Sequence, residues 1–268
     1  MNLKTQISNT IKKYKICNKH EKVLVALSGG KDSTVCAYML HKLGYNLEGF
    51  HINLGLGAYS ERCEKSTKEL CTQLEIKLYV YDFTKKHGSS MCYLRTTIQS
   101  KKALKNCAIC GVIKKYIINK EARILKADKI ATGHHLDDEA QTFFLNILKG
   151  APELSASTGP LTRNISDKKF IPRIKPLFFC FEEDIKNFAK QKKLPVVYEP
   201  CPCALDSYRL QVRNFFKTLS TKEKKNIINN FDKIKDKIKK QSGKMNYCKI
   251  CGEPTRKKIC KRCELIKN

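Results

Sequence analysis

The segment Val23-Leu-Val-Ala-Leu-Ser-Gly-Gly-Lys-Asp-Ser33 decides the fold of this chain. Its five apolar residues, Val23 to Leu27, predict a buried strand of a parallel sheet. An apolar-periodic run begins near Thr34 and predicts a helix directly after the intervening loop. Glycines in the loop permit backbone conformations closed to other residues, and a helix start offers free N–H groups to an anion. The segment therefore predicts a phosphate-binding turn, most suited to a pyrophosphate.

The loop consists of Ser28, Gly29, Gly30, Lys31, Asp32 and Ser33. It differs from the G-x-x-x-x-G-K-[ST] loop, which would need Gly at Val25 and Ser or Thr at Asp32. It also lacks the spacing of the dinucleotide pattern G-x-G-x-x-G. Asp32 suits Mg²⁺, which prefers carboxylate and phosphate oxygens. A plain glycine turn is the alternative, and six specific residues between a strand and a helix argue against it.

Charge and composition indicate the class of partner. Lys and Arg number 53 against 25 Asp and Glu, a net charge of +28, which points to a polyanion and first to nucleic acid. A general lysine bias is the alternative. No signal peptide and no apolar run of about 20 residues is visible, so we expect a cytoplasmic protein without a membrane partner. Fourteen cysteines in that compartment favour metal binding or catalysis over disulfides.

Alternating strands and helices predict an α/β fold with a doubly wound, mainly parallel sheet. Further strands are predicted over 47–53, 78–83, 129–132 and 194–198. Helices are predicted over 61–75, 106–126, 181–192, 206–219 and 221–240, and another is opened by residues 133–142 and ends near Gly150. We expect four parts: a basic N-terminal helix (1–22), a nucleotide-binding catalytic domain (23–204), a basic helical segment (205–245) and a C-terminal zinc ribbon (246–268). Ligands bind such sheets at the carboxyl ends of strands. His51, Asn53 and Gly133 are therefore candidate nucleotide contacts.

Two cysteine pairs near the C terminus form a zinc signature. Cys248-x-x-Cys251 and Cys260-x-x-Cys263 are eight residues apart, the spacing of a four-cysteine structural zinc site. A unit this short cannot bury a core, so metal binding supplies its folding energy.

A third pair, Cys107-x-x-Cys110, has no second pair beside it. It suits a redox dithiol, two inert buried cysteines, or two ligands of an iron–sulfur cluster completed by a distant cysteine. Cys201 is the best candidate for that third ligand because it follows a predicted strand, and Cys203 is the second choice. The residues alone leave these three interpretations open.

Four motifs occur together and in one order: the loop 28–33, Cys107-x-x-Cys110-Gly111, Gly133-His-His-Leu-Asp-Asp-Glu-Ala and Cys201-Pro. In this combination the chain resembles the tRNA 2-thiolation enzymes of the TtuA, NcsA and TtcA kind. They belong to the PP-loop ATP-pyrophosphatase superfamily, whose fold is of the adenine nucleotide alpha-hydrolase type. The resemblance runs from about Val23 to the C terminus. The resemblance does not extend to the residues before the loop, where members of the family commonly carry another zinc ribbon.

The resemblance implies an ATP-dependent enzyme that uses Mg²⁺, adenylates the C2 oxygen of a tRNA uridine and replaces that oxygen with sulfur. It implies that Cys107, Cys110 and Cys201 hold a 4Fe–4S cluster, with one iron free to carry the sulfur. Lys114 would lie near the cluster, and Asp138 would assist Mg²⁺ or proton transfer. The alternatives are that Lys114 is an ordinary surface lysine and that Asp138 only caps its helix.

The resemblance leaves the sulfur donor open among free sulfide, a persulfide and the thiocarboxylate of a ubiquitin-like carrier, and it suggests a homodimer. Two other functions fit part of the sequence. A PP-loop ligase of the lysidine-synthetase kind would need no cysteine triad. A non-catalytic zinc-ribbon RNA-binding protein would not need the intact loop 28–33.

Overall fold

A computed structural model of the protein describes residues 2–156, 158–162, 167–204, 209–234, 237–238 and 245–266. At its centre is a five-stranded parallel sheet in the order β3-β2-β1-β4-β5. The strands are β1 (Val23–Leu27), β2 (Leu47–Asn53), β3 (Leu78–Asp82), β4 (Lys129–Ala131) and β5 (Arg173–Ile174). The helices of the described residues are α1 (Leu3–Tyr14), α2 (Lys31–Lys42), α3 (Ala58–Gln73), α4 (Phe83–His87), α5 (Met91–Gln99), α6 (Asn106–Ile124), α7 (Leu136–Leu148), α8 (Glu182–Gln191), α9 (Arg209–Thr218), α10 (Thr221–Ile234) and α11 (Lys261–Ile266).

Strand β1 is apolar throughout because the sheet is covered on both faces. Val23, Val25 and Leu27 pack with α1, α2, α3 and α8 in one core layer. Leu24 points the other way, into a second layer formed with α5 and α6. Alternate side chains of a strand face opposite sides, so a doubly covered strand loses the polar alternation of a surface strand. The predicted doubly wound parallel sheet is confirmed.

The helix after the phosphate loop begins at Lys31, three residues before the predicted start near Thr34. Gly30 is extended (φ −89°, ψ 162°) and is the residue that caps the helix. Lys31, Asp32 and Ser33 therefore form the first helical turn. Their polar side chains hid the helix from a search for apolar periodicity.

The strand predicted over 194–198 is wrong, since those described residues form no strand. Pro195 has no N–H to give to a sheet. Its carbonyl instead accepts a hydrogen bond from Ser66 Oγ at 2.8 Å, and Val197 N donates to Gly29 O at 2.9 Å. The segment crosses the phosphate loop rather than extending the sheet. Helices α4 and α5 were not predicted at all.

The N-terminal helix is shorter than the predicted 1–22, and its apolar face is part of the main core. Leu3, Ile7 and Ile11 of α1 are buried there. A third apolar cluster joins α7 to the basic helices α9 and α10. The start of the helix predicted from residue 206 lies outside the described residues. Among those residues, the helices are all too short or too polar to cross a bilayer.

Candidate active site and metal centres

The candidate nucleotide site lies where the strand order changes direction, between β1 and its neighbour β4. Open α/β sheets bind ligands at such points. The loops that follow these two strands touch. A β-carbon on Gly133 would lie 2.6 Å from the carbonyl carbon of Asp32 and 2.6 Å from Ser33 N. Glycine is required at residue 133 because the turn after β4 packs directly on the first turn of α2.

The phosphate loop is closed by its own hydroxyl groups. Ser28 N donates to Ser33 Oγ at 3.1 Å, and the two serine hydroxyls are 3.1 Å apart. Gly29 has a φ of +80°, and a β-carbon there would lie 2.8 Å from Cys63 Cα. These contacts fix the conformation of the loop and pack it against α3.

Charged groups converge at the mouth of this loop. Lys31 Nζ lies 2.9 Å from Glu182 Oε1 at the start of α8 and 3.1 Å from both oxygens of Asp32. Burial raises the pKa of Asp32 above its usual range, against the lowering charges of His135 and Lys31. Asp32 Oδ1 is buried and, although Lys31 Nζ lies 3.1 Å away, it accepts no hydrogen bond of good geometry. A buried carboxylate oxygen without a hydrogen bond is a suitable ligand for Mg²⁺.

The ring of His135 lies between two carboxylates. Its Nε2 is 3.7 Å from Asp32 Oδ1 and 3.3 Å from Asp138 Oδ2. Burial would raise the pKa of Asp138, but the charges of His135, His134 and Arg209 lower it below the usual value. Asp138 is thus held ionised at the start of α7, facing the phosphate loop.

The two acidic neighbours of Asp138 have other partners. Asp137 Oδ2 accepts a hydrogen bond from Glu182 N at 2.8 Å, and Glu139 pairs with Lys175 at 2.6 Å. These contacts hold α7 against its surroundings. Of the three acids in this turn, Asp138 is the one placed beside Asp32.

His51 and Asn53 lie at the end of β2, as predicted. His51 is buried, its Nδ1 is 3.0 Å from Leu27 O, and its Nε2 has no partner. Asn53 donates to Glu64 Oε2 at 2.7 Å and accepts from Gly55 N at 3.0 Å. Both polar groups of Asn53 are therefore used within the protein, and its contact with a nucleotide stays a prediction.

Cys201 lies close enough to α6 for the charges of two residues of that helix to act on it. Burial raises the pKa of Cys201, a hydrogen bond from Cys203 N–H lowers it, and the charges of Cys110 and Lys114 also act on it. Cys110 and Lys114 are one turn apart on α6, so that turn faces Cys201. Cys107 lies on the same helix, three residues before Cys110, and is exposed.

The turn with Cys201 is also next to the phosphate loop. Burial raises the pKa of Tyr59, and the adjacent Cys63 and Cys201 raise it further. Tyr59 hydrogen-bonds to Cys63, the residue that contacts Gly29 of the loop. Cys63 and Tyr59 thus lie between the phosphate loop and the neighbourhood of Cys201.

Comparisons with known proteins identify the family. Residues 1–218 match the family described as PP-loop domain. A tRNA-5-methyluridine(54) 2-sulfurtransferase of Pyrococcus horikoshii is 36% identical over 264 residues, which cover 97% of this chain and 83% of that protein. The chain belongs to the PP-loop family of tRNA 2-thiolation proteins. The enzyme of the same description from Thermotoga maritima is 30% identical over 99% of the chain and 87% of its own length.

A solved structure agrees with this membership. The U34-tRNA thiolase NcsA from Methanococcus maripaludis, determined with its [4Fe-4S] cluster, superposes with a TM-score of 0.81 at 27% identity. The match covers 98% of this PP-loop chain and 85% of NcsA. The fold predicted from the resemblance is therefore the fold of a thiolase.

The C-terminal ribbon of this PP-loop protein has the geometry of a zinc site. The sulfur atoms of Cys248, Cys251, Cys260 and Cys263 all lie within 4.8 Å of one another, a grouping that no other metal-binding side chains match in the described residues. A tetrahedral zinc with Zn–S bonds of 2.3 Å needs sulfurs about 3.8 Å apart. Burial alone would raise the pKa of Cys248, yet backbone N–H groups lower it to about 6. The residues present fit a zinc ion.

The ribbon is fixed to α6, the helix that carries Cys107 and Cys110. Strands β6 (Asn246–Tyr247) and β7 (Pro254–Thr255) form its hairpin. Next to β7, the buried Glu253 pairs with Arg123 and accepts a hydrogen bond from Asn119 at 3.3 Å, both on α6. The ribbon is thus anchored to the domain through a partly buried ion pair.

A basic pocket of about 260 Å³ lies between α6 and the ribbon. Lys115, Arg173, Lys261 and Arg262 are among its lining residues. Desolvation lowers the pKa of Lys115, and the charges of Arg173, Lys175 and Lys261 lower it further. Such mutual repulsion is relieved by a bound anion. The pocket is therefore suited to phosphate groups.

Sequence analysis missed two polar residues of the nucleotide site. His135 belongs to a motif that was identified, but a histidine next to a histidine gives no sign of which one faces inward. Glu182 pairs with Lys31 from 151 positions away, and no local pattern links them. Only the topology of the sheet brings the start of α8 to the phosphate loop.

Proposed function

We propose that this protein is an ATP-dependent tRNA uridine 2-thiolase. The observation that carries the proposal is the short path from Gly29 of the phosphate loop through Cys63 and Tyr59 to Cys201. A site that activates an oxygen with ATP and a site that supplies sulfur must lie side by side, because both act on one carbon atom. The homologues named as tRNA sulfurtransferases and the thiolase NcsA support the same reaction.

The phosphate loop and its neighbours bind and orient ATP. The N–H groups at the start of α2 and the cation of Lys31 hold the pyrophosphate. Asp32 and Asp138 offer oxygens to Mg²⁺, and His135 keeps the two carboxylates in place. Cleavage between the α- and β-phosphates transfers AMP to the C2 oxygen of the uridine, which makes that oxygen a better leaving group.

Cys107, Cys110 and Cys201 would hold a 4Fe–4S cluster. The three thiols, of the half-buried Cys110 and Cys201 and the exposed Cys107, suit a cluster with three protein ligands. When bound, such a cluster supplies an iron position that carries exogenous sulfur. Lys114, whose charge acts on Cys201, stabilises negative charge that develops as the C2 oxygen leaves.

The tRNA binds across the basic surface. The net charge of +28 and the pocket between α6 and the ribbon suit its phosphates. The names of the two sulfurtransferases give uridine 54 and the name of NcsA gives uridine 34, so the proposal covers a tRNA uridine in general. A Caenorhabditis elegans relative is named cytoplasmic tRNA 2-thiolation protein 1, which supports a cytoplasmic location.

The decisive experiment measures metal content and product together. Protein purified without oxygen is analysed for iron, acid-labile sulfide and zinc, and it is then given ATP, Mg²⁺, sulfide and unmodified tRNA. We expect about four irons per chain, by the stoichiometry of such clusters, and formation of 2-thiouridine by mass spectrometry.

Cys201→Ala should lose iron and 2-thiouridine but keep zinc and ATP binding. The matched control is Cys17→Ala, a buried cysteine in the core beside α1. Zinc without iron in the wild type, or a Cys201→Ala variant that thiolates normally, would contradict the proposal.

A further inference from the structure

A second pair of cysteines, Cys92 and Cys203, lies in and beside the turn that carries Cys201, and the proposed function gives neither of them a role. Cys203 Sγ and Cys92 Sγ are 3.8 Å apart, although 111 positions separate them in the chain. Both are half-buried, so a small molecule has access to them. Cys92 is on α5, and Cys203 is in the same turn as Cys201. The fold therefore brings two thiols into contact at the edge of the proposed sulfur site.

The guanidinium of Arg95 contacts both sulfurs. Its Nη2 lies 2.8 Å from Cys203 Sγ and 2.9 Å from Cys92 Sγ. Its Nε donates to Met91 O at 3.3 Å, and the residue is only 6% exposed. A buried cation in this position stabilises negative charge on a sulfur that leaves the pair. Cys92, Cys203 and Arg95 are thus arranged for a reaction between the two cysteine sulfurs.

The position of Cys203 determines where a released sulfur would go. Its backbone N–H hydrogen-bonds to Cys201, and the charges of Cys110 and Lys114 also act on Cys201. A sulfur that leaves Cys203 is therefore released close to Cys201. This places the pair directly before the sulfur-transfer step of the proposed function.

We propose that Cys203 and Cys92 take sulfane sulfur from a persulfide and release it as hydrosulfide beside Cys201. The Cys203 sulfur attacks the terminal sulfur of R–S–SH, R–S⁻ leaves, and Cys203 becomes a persulfide. Cys92 then attacks Cys203 Sγ, the bond to the outer sulfur breaks, and hydrosulfide leaves towards Arg95.

The products balance the reactants. One R–S–SH and two thiols give R–SH, H₂S and a Cys92–Cys203 disulfide. The sulfane sulfur gains the two electrons that the thiols lose. An external dithiol reduces the disulfide for the next turnover. The two sulfurs are already in van der Waals contact, and a disulfide bond of about 2.05 Å needs a shift of under about 2 Å. Use of the hydrosulfide for thiolation rests on the proposed function.

The test needs neither ATP nor tRNA. Zinc-loaded protein, with and without its cluster, is mixed anaerobically with cysteine persulfide, and released sulfide and the state of each cysteine are measured by peptide mass spectrometry. We expect a burst of roughly one sulfide per chain and a Cys92–Cys203 disulfide. Cys92→Ser should lower the burst about tenfold or more and accumulate a persulfide on Cys203. Cys203→Ser should give neither product.

Cys17→Ala is the control and should release sulfide as the wild type does. Equal bursts in the wild type and both serine variants would overturn the proposal, as would a disulfide that joins other cysteines. Repeating the assay with a persulfide carried on a protein shows which form of donor the cysteine pair accepts. A burst of sulfide with either donor supports the proposed reaction of Cys203 and Cys92.

A thiolation assay distinguishes a failure of this inference from a failure of the proposed function. Wild type that makes no 2-thiouridine from free sulfide refutes the proposed function and leaves the burst result standing. If the enzyme thiolates with sulfide, the ratio of persulfide-driven to sulfide-driven rate should fall about tenfold in Cys92→Ser. An unchanged ratio refutes the proposed role of Cys203 and Cys92 and leaves the proposed thiolase function standing.

Discussion

Gly133 packs against the backbone of Asp32 so closely that a β-carbon would lie 2.6 Å from the Asp32 carbonyl carbon. Gly133→Ala must therefore push the turn after β4 away from the first turn of α2. We expect ATP to bind at least about tenfold more weakly, a loss of about 1.4 kcal/mol. Titration calorimetry with ATP and Mg²⁺ measures this. Gly159→Ala is the control, because its β-carbon would lie an ordinary 3.8 Å from Leu161 O, and equal affinity in both variants would contradict the steric role.

Glu253 anchors the zinc ribbon to α6. Glu253→Gln removes the charge that pairs with Arg123 while keeping the size of the side chain. We expect the free energy of unfolding to fall by about 1–3 kcal/mol, because a partly buried cation loses its partner. Thermal denaturation of the zinc-loaded protein checks this. The control is Glu264→Gln, whose 3.8 Å pair with Lys257 is exposed and worth little; a similar loss in the control would show that the anchor is unimportant.

The basic pocket should contribute to tRNA binding through charge. Replacing both Lys115 and Lys261 with alanine removes two cations from its wall. We expect weaker tRNA binding and a salt dependence whose log–log slope is smaller by about 1.5, since each phosphate contact contributes about 0.7–0.9. Filter binding at several salt concentrations measures both quantities. Lys4→Ala with Lys85→Ala, at exposed sites on α1 and α4, is the control. Equal slopes for the two double variants would place the tRNA elsewhere.

Burial of His51 should make stability depend on pH. Its pKa is lowered in the folded protein, whereas the unfolded chain takes up a proton near the ordinary pKa of about 6.5. Between these two pKa values the unfolded state holds more protons, so the free energy of unfolding decreases as the pH falls below about 6.5. Urea denaturation at pH 7.5 and pH 5.5 measures the decrease.

His51→Asn keeps a donor for Leu27 O and removes the titrating ring. We expect this variant to lose part of the difference in stability between the two pH values. His20→Asn, at an exposed histidine, should retain the full difference. A His51→Asn protein with the full difference would assign the pH dependence to other groups.

Local patterns were enough to predict the centre of the fold. The unbroken apolar run of β1 indicated a strand covered on both faces. The four cysteines of the ribbon were predicted from spacing alone, since a metal site constrains its ligands within a short stretch.

Features set by long-range contacts could not be predicted in this way. Val197 gives its N–H to Gly29, so an apolar stretch that looks like a strand runs over the loop instead. Glu182 and His135 acquire their importance from the topology that places them beside Lys31 and Asp32. A polar first turn, as in α2, hides the start of a helix because it lacks the apolar periodicity by which helices are recognised.

The contact of Val197 with the phosphate loop has a mechanical consequence. Four residues lead from Val197 to Cys201, and an extended chain of that length spans about 14 Å at most. The main chain is thus a short tether between the phosphate loop and Cys201. A displacement of the loop is therefore transmitted along the chain to Cys201. Under the proposed function, this tether couples the state of the nucleotide to the place where sulfur is delivered.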